Sequence, residues 1–147
     1  MTGLFLPQRI LDAIIAHAET EAPVEACGML SGQDRIVRDI HQVTLAEGGA
    51  ALLPLLAAGQ SPAARQFRAA GQELLAVYLS RPAAPARPSM EDLRLDFMPN
   101  VAYLLLSLLE PWKPALRGFR IHEHRIVEVP ITVFDDQDCD PAQDYVI

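Results

Sequence analysis

Cysteine is scarce in this chain of 147 residues: there are only two, Cys27 and Cys139, far apart in the sequence. They suggest neither a disulfide framework nor the paired spacing of a zinc site, so we expect a reducing, cytoplasmic environment. The N-terminus has no basic segment and Asp12 interrupts its apolar stretch, so we expect no signal peptide. The longest apolar run, Val101 to Leu109, is far too short to span a bilayer, and no membrane partner is expected.

Positive charge is also limited. Twelve lysines and arginines face 19 acidic residues, which gives a net charge of −7. Nucleic-acid binding needs a concentrated basic face, so this balance argues against nucleic acid as a partner. Half of the residues are hydrophobic, enough to bury a core, and the length favours one domain.

Hydrophobic periodicity predicts an α+β fold, with helices flanking a mixed sheet in a single domain over residues 1–134. Residues 135–147 carry five aspartates and are predicted to form an acidic tail. Helices are predicted from Pro7 through Ala18, from Ser61 to Ala70 and from Ser89 to Phe97. Strands are predicted at residues 25–31, 35–45, 73–80 and 101–108, followed by a hairpin of 115–122 with 125–133 that turns at 123–124.

Two stretches have a distinctive spacing. The first reads Pro-Val-Glu-Ala-Cys-Gly over residues 23–28 and contains Glu25. In the second, Leu79, Ser80 and Arg81 are followed by seven residues, 82–88, and then by Ser89 and Asp92.

This frame resembles the JAMM/MPN (JAB-domain) metalloprotease family, whose fold is similar to that of cytidine deaminases. Active members carry a glutamate in the first stretch and, in the second, His-x-His, seven residues and Ser-x-x-Asp. About 130 residues of this chain follow the family's order of elements. The resemblance implies hydrolysis of a peptide or isopeptide bond after the C-terminal glycine of a ubiquitin-like protein, with zinc as the cofactor.

By this resemblance, Glu25 occupies the general-base position, Ser89 the oxyanion-stabilising position and Asp92 a metal-ligand position. The two histidine positions hold Leu79 and Arg81. Leucine has no donor atom, and a guanidinium offers N–H groups but no lone pair, so neither can coordinate a cation. We therefore expect no metal cofactor. As a hypothesis, Arg81 replaces the ion by pairing with Asp92 or Glu25.

Structural roles compete with these functional ones. Ser89 and Asp92 fit the N-terminus of a helix, as a cap and as a favourable negative charge. Cys27 is expected to be a small buried hydrophobe. The four histidines are expected to be surface or boundary residues and not ligands: His17, His41, His122 and His124.

The leading hypothesis is a catalytically inactive JAMM-like module that binds or scaffolds protein, with Leu79, Arg81 and Asp92 as binding positions. Its partner would be the C-terminal tail of a ubiquitin-like or ThiS/MoaD-like sulfur carrier, bound by strand addition, or an active homologue. Because the family often dimerises, a homodimer is a further expectation. The alternatives are a zinc metallopeptidase with an altered site and a purely structural domain.

Overall fold

A computed structural model describes residues 3–43, 62–88, 101–123 and 125–135. The two helices described are α1 (Gln8–Glu21) and α2 (Pro62–Ala69). The eight strands are β1 (Leu4–Pro7), β2 (Cys27–Gln33), β3 (Ile36–Val43), β4 (Glu73–Arg81), β5 (Ala102–Ser107), β6 (Ala115–His122), β7 (Arg125–Val129) and β8 (Ile131–Phe134). Neither of the two described helices has the length and apolar character of a membrane-spanning segment.

The eight strands form one sheet in the order β7-β6-β5-β4-β2-β3-β1-β8. The pairs β4–β5, β1–β3 and β1–β8 are parallel, whereas β2 is antiparallel to both of its neighbours and β6 to both of its own. The mixed sheet with helices confirms the predicted α+β fold.

Strand direction decides which chain segments meet at one edge of the sheet. Because β2 is antiparallel to β4, the start of β2 lies beside the end of β4. Strand β5 runs parallel to β4 and also ends there, and the antiparallel β6 starts there. This edge, which we call the site edge, therefore gathers four segments that are distant in sequence.

Apolar side chains fill both faces of the sheet. From Ala76 to Leu79 in β4, successive residues belong to different clusters, because successive side chains of a strand point to opposite faces. Tyr78 packs with the buried face of α1, which presents Ile10, Ile14 and Ala18 at helical spacing. Val77 and Leu79 pack in the cluster on the other face.

The structure differs from the predictions in three places. Strand β1 was not predicted, since four residues that end in a proline give a weak strand pattern. The predicted strand 125–133 is wrong as a single hairpin arm, because Pro130 divides it. Only β7 completes the hairpin with β6, whereas β8 pairs with β1. Strand β2 also starts two residues later than predicted, at Cys27.

Some predictions fall outside the described residues. These are the helix from Ser89 to Phe97 and the acidic tail beyond Asp135. The predicted helix from Ser61 is present as α2, from Pro62 to Ala69. The domain boundary at 134/135 stays a prediction.

Candidate functional site

Glu25 and Arg81 are brought together at the site edge by the register of β2 and β4. Cys27 is paired with Leu79, the last pair of this antiparallel ladder. One step further, the Ser80 N–H donates to the carbonyl of Ala26 at 2.9 Å, and the Ala26 N–H donates to Ser80 Oγ at 2.7 Å. One more step places Glu25 and Arg81 opposite each other, as cross-strand neighbours.

The two side chains form an ion pair. Arg81 Nη1 donates to Glu25 Oε2 at 2.7 Å, and the side chains are 13% and 48% exposed, respectively. Glu25 is one of the two partners, with Asp92, that the sequence suggests for Arg81. The pair lines an open pocket of about 520 Å³, together with Ala22, Pro23, Pro82, Ala83 and Ala84. The guanidinium is thus largely covered, while the carboxylate still faces water.

Leu79, at the other histidine position, does not reach this pocket. It is 6% exposed and belongs to an apolar cluster that includes Cys27, Val77 and Leu105. Its side chain has no lone pair, and the nitrogen of Arg81 is engaged as a donor. Among the described residues, no three histidine, cysteine, aspartate or glutamate side chains are grouped closely enough to hold a metal ion. The residues at the two positions therefore do not fit zinc.

The loop after β4, residues 82–88, is fastened to the end of β5. Ser107 Oγ donates to the carbonyl of Ala84 at 2.6 Å and accepts the N–H of Leu109 at 3.1 Å. The N–H of Leu108 donates to the carbonyl of Arg81 at 3.0 Å. These bonds hold one wall of the pocket against the sheet, next to the ion pair.

A second polar pair lies on the opposite face of β4. The hydroxyl of Tyr78 and Nδ1 of His17 share a hydrogen bond at 2.7 Å, and both side chains are buried. Burial raises the pKa of Tyr78 and lowers the pKa of His17, with a smaller opposing effect of Glu21 on His17. The prediction of a surface or boundary position for His17 is therefore wrong, because the Tyr78 hydroxyl satisfies its ring inside the core.

Gly28 makes room for this tyrosine. A Cβ at residue 28 would lie 2.4 Å from Cε2 of Tyr78, far inside van der Waals contact. Neither Tyr78 nor the need for glycine beside it was identified from the sequence. A polar residue at an inward-facing position of an otherwise apolar strand is the signal that would have indicated a buried partner.

A serine–histidine pair occurs elsewhere, between β2 and β3. His41 Nε2 lies 2.9 Å from Ser31 Oγ, whose hydroxyl donates to Gln72 Oε1 at 2.7 Å. The histidine N–H must therefore be the donor to the serine, the reverse of what nucleophile activation requires. Ser31 is also fully buried, so this cluster joins chain segments and has no access to a substrate.

The remaining predicted positions are only partly described. Ser89, Asp92 and His124 lie outside the described residues, as does the side chain of His122. Cys27 is buried, as expected for a small hydrophobe. His41 is half-buried, in keeping with a boundary position.

The chain belongs to the family of prokaryotic homologs of the JAB domain, which it matches over residues 7–121. The match spans β2, β4, β5 and the start of β6, and thus all four segments that meet at the site edge. The family resemblance expected from the sequence is confirmed.

Several known proteins are similar to this chain. The CysO-cysteine peptidase of Mycobacterium tuberculosis is 33% identical over 129 residues, which cover 86% of this chain and 88% of that protein. A probable TtuB-protein conjugate cleaving protease of Thermus thermophilus is 32% identical over 96 residues, 62% of each chain. The solution structure of protein DSY2949 from Desulfitobacterium hafniense has a TM-score of 0.76 and 32% identity, and the match covers 90% of this chain and 93% of that one.

Proposed function

We propose that this JAB-domain protein binds the C-terminal tail of a ubiquitin-like sulfur-carrier protein and does not hydrolyse it by zinc catalysis. The observation that carries the proposal is the Arg81–Glu25 ion pair at the site edge, with Leu79 packed in the core beside it. The names of two relatives contain CysO and TtuB, and proteins of this class are therefore the kind of partner that we propose.

The ion pair explains how the site would tolerate the loss of a metal. A carboxylate at a pocket wall is stabilised by a nearby positive charge, and a guanidinium supplies that charge permanently. It does not supply the open coordination position at which a metal would acidify water. Arg81 therefore replaces the electrostatic role of a cation without its chemical role.

The shape of the pocket favours a narrow occupant. Three of its lining residues are alanines, Ala22, Ala83 and Ala84, so its walls are made by short side chains. An extended tail that ends in glycine is narrow and exposes its backbone amides and terminal carboxylate. The N–H groups of arginine are good donors to such oxygens, in particular to a carboxylate.

Calorimetric titration with CysO of Mycobacterium tuberculosis tests the binding. We expect Arg81→Met to weaken the binding about tenfold or more, because a hydrogen bond to a charged group contributes about 1.5–3 kcal/mol. Arg35→Met is the matched control, since it removes the same charge at the far end of β2, next to Ile36. Equal affinities for wild type, Arg81→Met and Arg35→Met would reject the role of Arg81.

The alternative is a zinc metallopeptidase with an altered site, and the peptidase names of both relatives favour testing it. Incubation of CysO-cysteine with this protein and zinc, followed by mass spectrometry, separates the two functions. We expect the adduct to stay intact. Release of cysteine that a chelator stops, and that Glu25→Gln abolishes, would establish the alternative.

A further inference from the structure

The loop that joins β5 to β6, which we call the Trp112 loop (residues 108–114), exposes two large apolar side chains. Trp112 is 81% exposed and Leu109 is 53% exposed. Exposing a tryptophan forgoes much of the stabilisation that burial of its large apolar surface would provide. Tryptophan is also one of the residue types enriched among those that dominate protein interfaces.

Two prolines flank the tryptophan in this loop. Pro111 and Pro114 restrict the backbone on either side, and the N–H of Lys113 donates to the carbonyl of Glu110 at 2.8 Å. A loop that is already restricted loses less conformational entropy when a partner binds. The Trp112 loop is therefore suited to contact another molecule.

A pocket of about 460 Å³ lies between the Trp112 loop and the loop after β4. Three cationic residues line it, Arg87, Lys113 and Arg117, against one acidic residue, Glu110. Arg117 is held by Glu128 through two hydrogen bonds of 3.0 and 2.7 Å. Arg87 and Lys113, both exposed, have no side-chain hydrogen bond or ion pair with any of the described residues.

This local excess of positive charge contrasts with the whole chain, whose net charge is −7. Lys113 is the only lysine in the sequence and lies next to the only tryptophan. A surface that combines exposed apolar groups with cations selects an acidic partner with an apolar patch. The negative charge of the rest of the molecule would orient such a partner toward this surface and away from others.

We infer that the Trp112 loop and the adjoining pocket form a second docking surface, which binds an acidic, partly apolar patch on the folded body of the carrier protein. The inference rests on the proposed function, because it gives a binding place to the folded body of the same carrier whose tail would enter the pocket that contains Arg81. Tail and body would then be bound at two neighbouring places.

The two places are joined by hydrogen bonds. The N–H of Leu108, at the base of the Trp112 loop, donates to the carbonyl of Arg81. Ser107 Oγ donates to the carbonyl of Ala84 in the loop after β4. On one side of this bond, Ala83 and Ala84 line the pocket that contains Arg81. On the other side, Pro85, Ala86 and Arg87 line the pocket beside the Trp112 loop. One folded partner can reach both pockets, and binding at two linked points raises affinity beyond that of either alone.

A comparison of whole CysO with a synthetic peptide of its C-terminal ten residues tests this surface. We expect wild-type protein to bind whole CysO about tenfold or more tightly than the peptide, which corresponds to about 1.4 kcal/mol. Trp112→Ala and Lys113→Glu should lower the affinity for whole CysO toward that for the peptide and leave peptide binding unchanged. Val127→Ala and Arg35→Glu are matched controls on other parts of the surface and should change neither affinity.

The outcomes separate this inference from the proposed function. The second docking surface would be overturned if wild-type protein bound the peptide and whole CysO equally well. It would also be overturned if Trp112→Ala changed neither of these two affinities. The tail site would stand in both cases. Weaker peptide binding in Arg81→Met supports the tail site, and weaker binding of whole CysO with unchanged peptide binding in Trp112→Ala supports the second docking surface. The tail site would be rejected if the peptide failed to bind wild-type protein. If whole CysO still bound in that case, and Trp112→Ala weakened its binding, the second docking surface would be supported on its own.

Fluorescence gives a direct readout, since Trp112 is the only tryptophan. We expect its emission to shift to shorter wavelength when CysO carrying no tryptophan is added, and the shift to weaken as salt is raised. Vesicles containing anionic phospholipid serve as the comparison, because exposed tryptophan and lysine also occur at membrane surfaces. A blue shift with these vesicles and none with CysO would overturn the inference.

Discussion

Strand β4 takes part in two hydrogen-bonded side-chain pairs that differ in their exposure to water. Tyr78 bonds His17 inside the core, whereas Arg81, three residues later, pairs with Glu25 at the edge of an open pocket. The two contacts have the same length, 2.7 Å. Loss of the two contacts should affect the free energy of unfolding differently. A buried polar group that loses its partner destabilises the fold strongly, whereas water can replace the partner of an exposed group.

This contrast separates residues that hold the fold from residues that are available to a ligand. The buried pair connects α1 to the sheet, and changes there should appear as lost stability. The exposed pair should contribute little to stability, and changes there should instead lower the affinity for the ligand. Three substitutions and one change of pH test this division.

Gly28→Ala should produce the largest loss of stability. The added Cβ would lie 2.4 Å from the ring of Tyr78, so the ring or the β2 backbone must move and the bond to His17 is disturbed. Overpacking of this kind costs about 1–3 kcal/mol, and the disturbed hydrogen bond places the loss at the upper end. Urea denaturation measures the free energy of unfolding. An unchanged midpoint would show that the space around Tyr78 is not tight.

Tyr78→Phe should lower the free energy of unfolding by about 1–3 kcal/mol, because it leaves the buried imidazole of His17 without its partner. The ring volume is kept, so the loss reports the hydrogen bond and not packing. If Tyr78→Phe is as stable as wild type, the buried pair does not secure α1.

Acidification should destabilise the protein. Burial lowers the pKa of His17 and of His41 below their ordinary value of 6.5, so each takes up its proton more readily in the unfolded chain. Their contribution to stability is therefore present above about pH 6.5 and is lost as the pH falls through the lowered pKa values. Urea denaturation at about pH 7.5 and 5.5 measures the change. His17→Gln should reduce the pH dependence, and a stability that rises on acidification would contradict the assignment.

Arg81→Met should have the smallest effect on stability, at most about 1 kcal/mol, because its partner Glu25 is half exposed. The same substitution is expected to weaken tail binding, so its effects on folding and binding should diverge. Thermal unfolding and calorimetric titration on one preparation measure both. A large loss of stability with unchanged binding would place Arg81 with the residues that hold the fold.

The sequence was sufficient to predict the mixed α+β fold, and it named Glu25 as one of two carboxylates, with Asp92, that Arg81 could meet. The pairing could be anticipated because a carboxylate and a guanidinium at the family's active positions need a counter-charge. Strand β8 could not be predicted from the sequence. Pro130 separates it from β7, and its pairing with β1 joins segments that are more than 120 residues apart, which no local pattern encodes.

Two residues illustrate why side-chain environments were harder to predict. His17 looked like a polar residue on the outer part of an amphipathic helix, and only the position of Tyr78 in space makes its burial favourable. Trp112 stands in a short segment with two prolines and has no periodicity. Its loop lies at the site edge, where β5 ends and β6 begins, and there it stays exposed.

We propose that Leu79 and Arg81 leave this JAB-domain protein without a zinc centre. The most direct test is the zinc content of the purified full chain after equilibration with excess zinc and removal of free metal, measured by inductively coupled plasma mass spectrometry. We predict far less than one zinc ion per chain, because neither residue has an electron pair to give. One tightly held zinc ion per chain would contradict the claim.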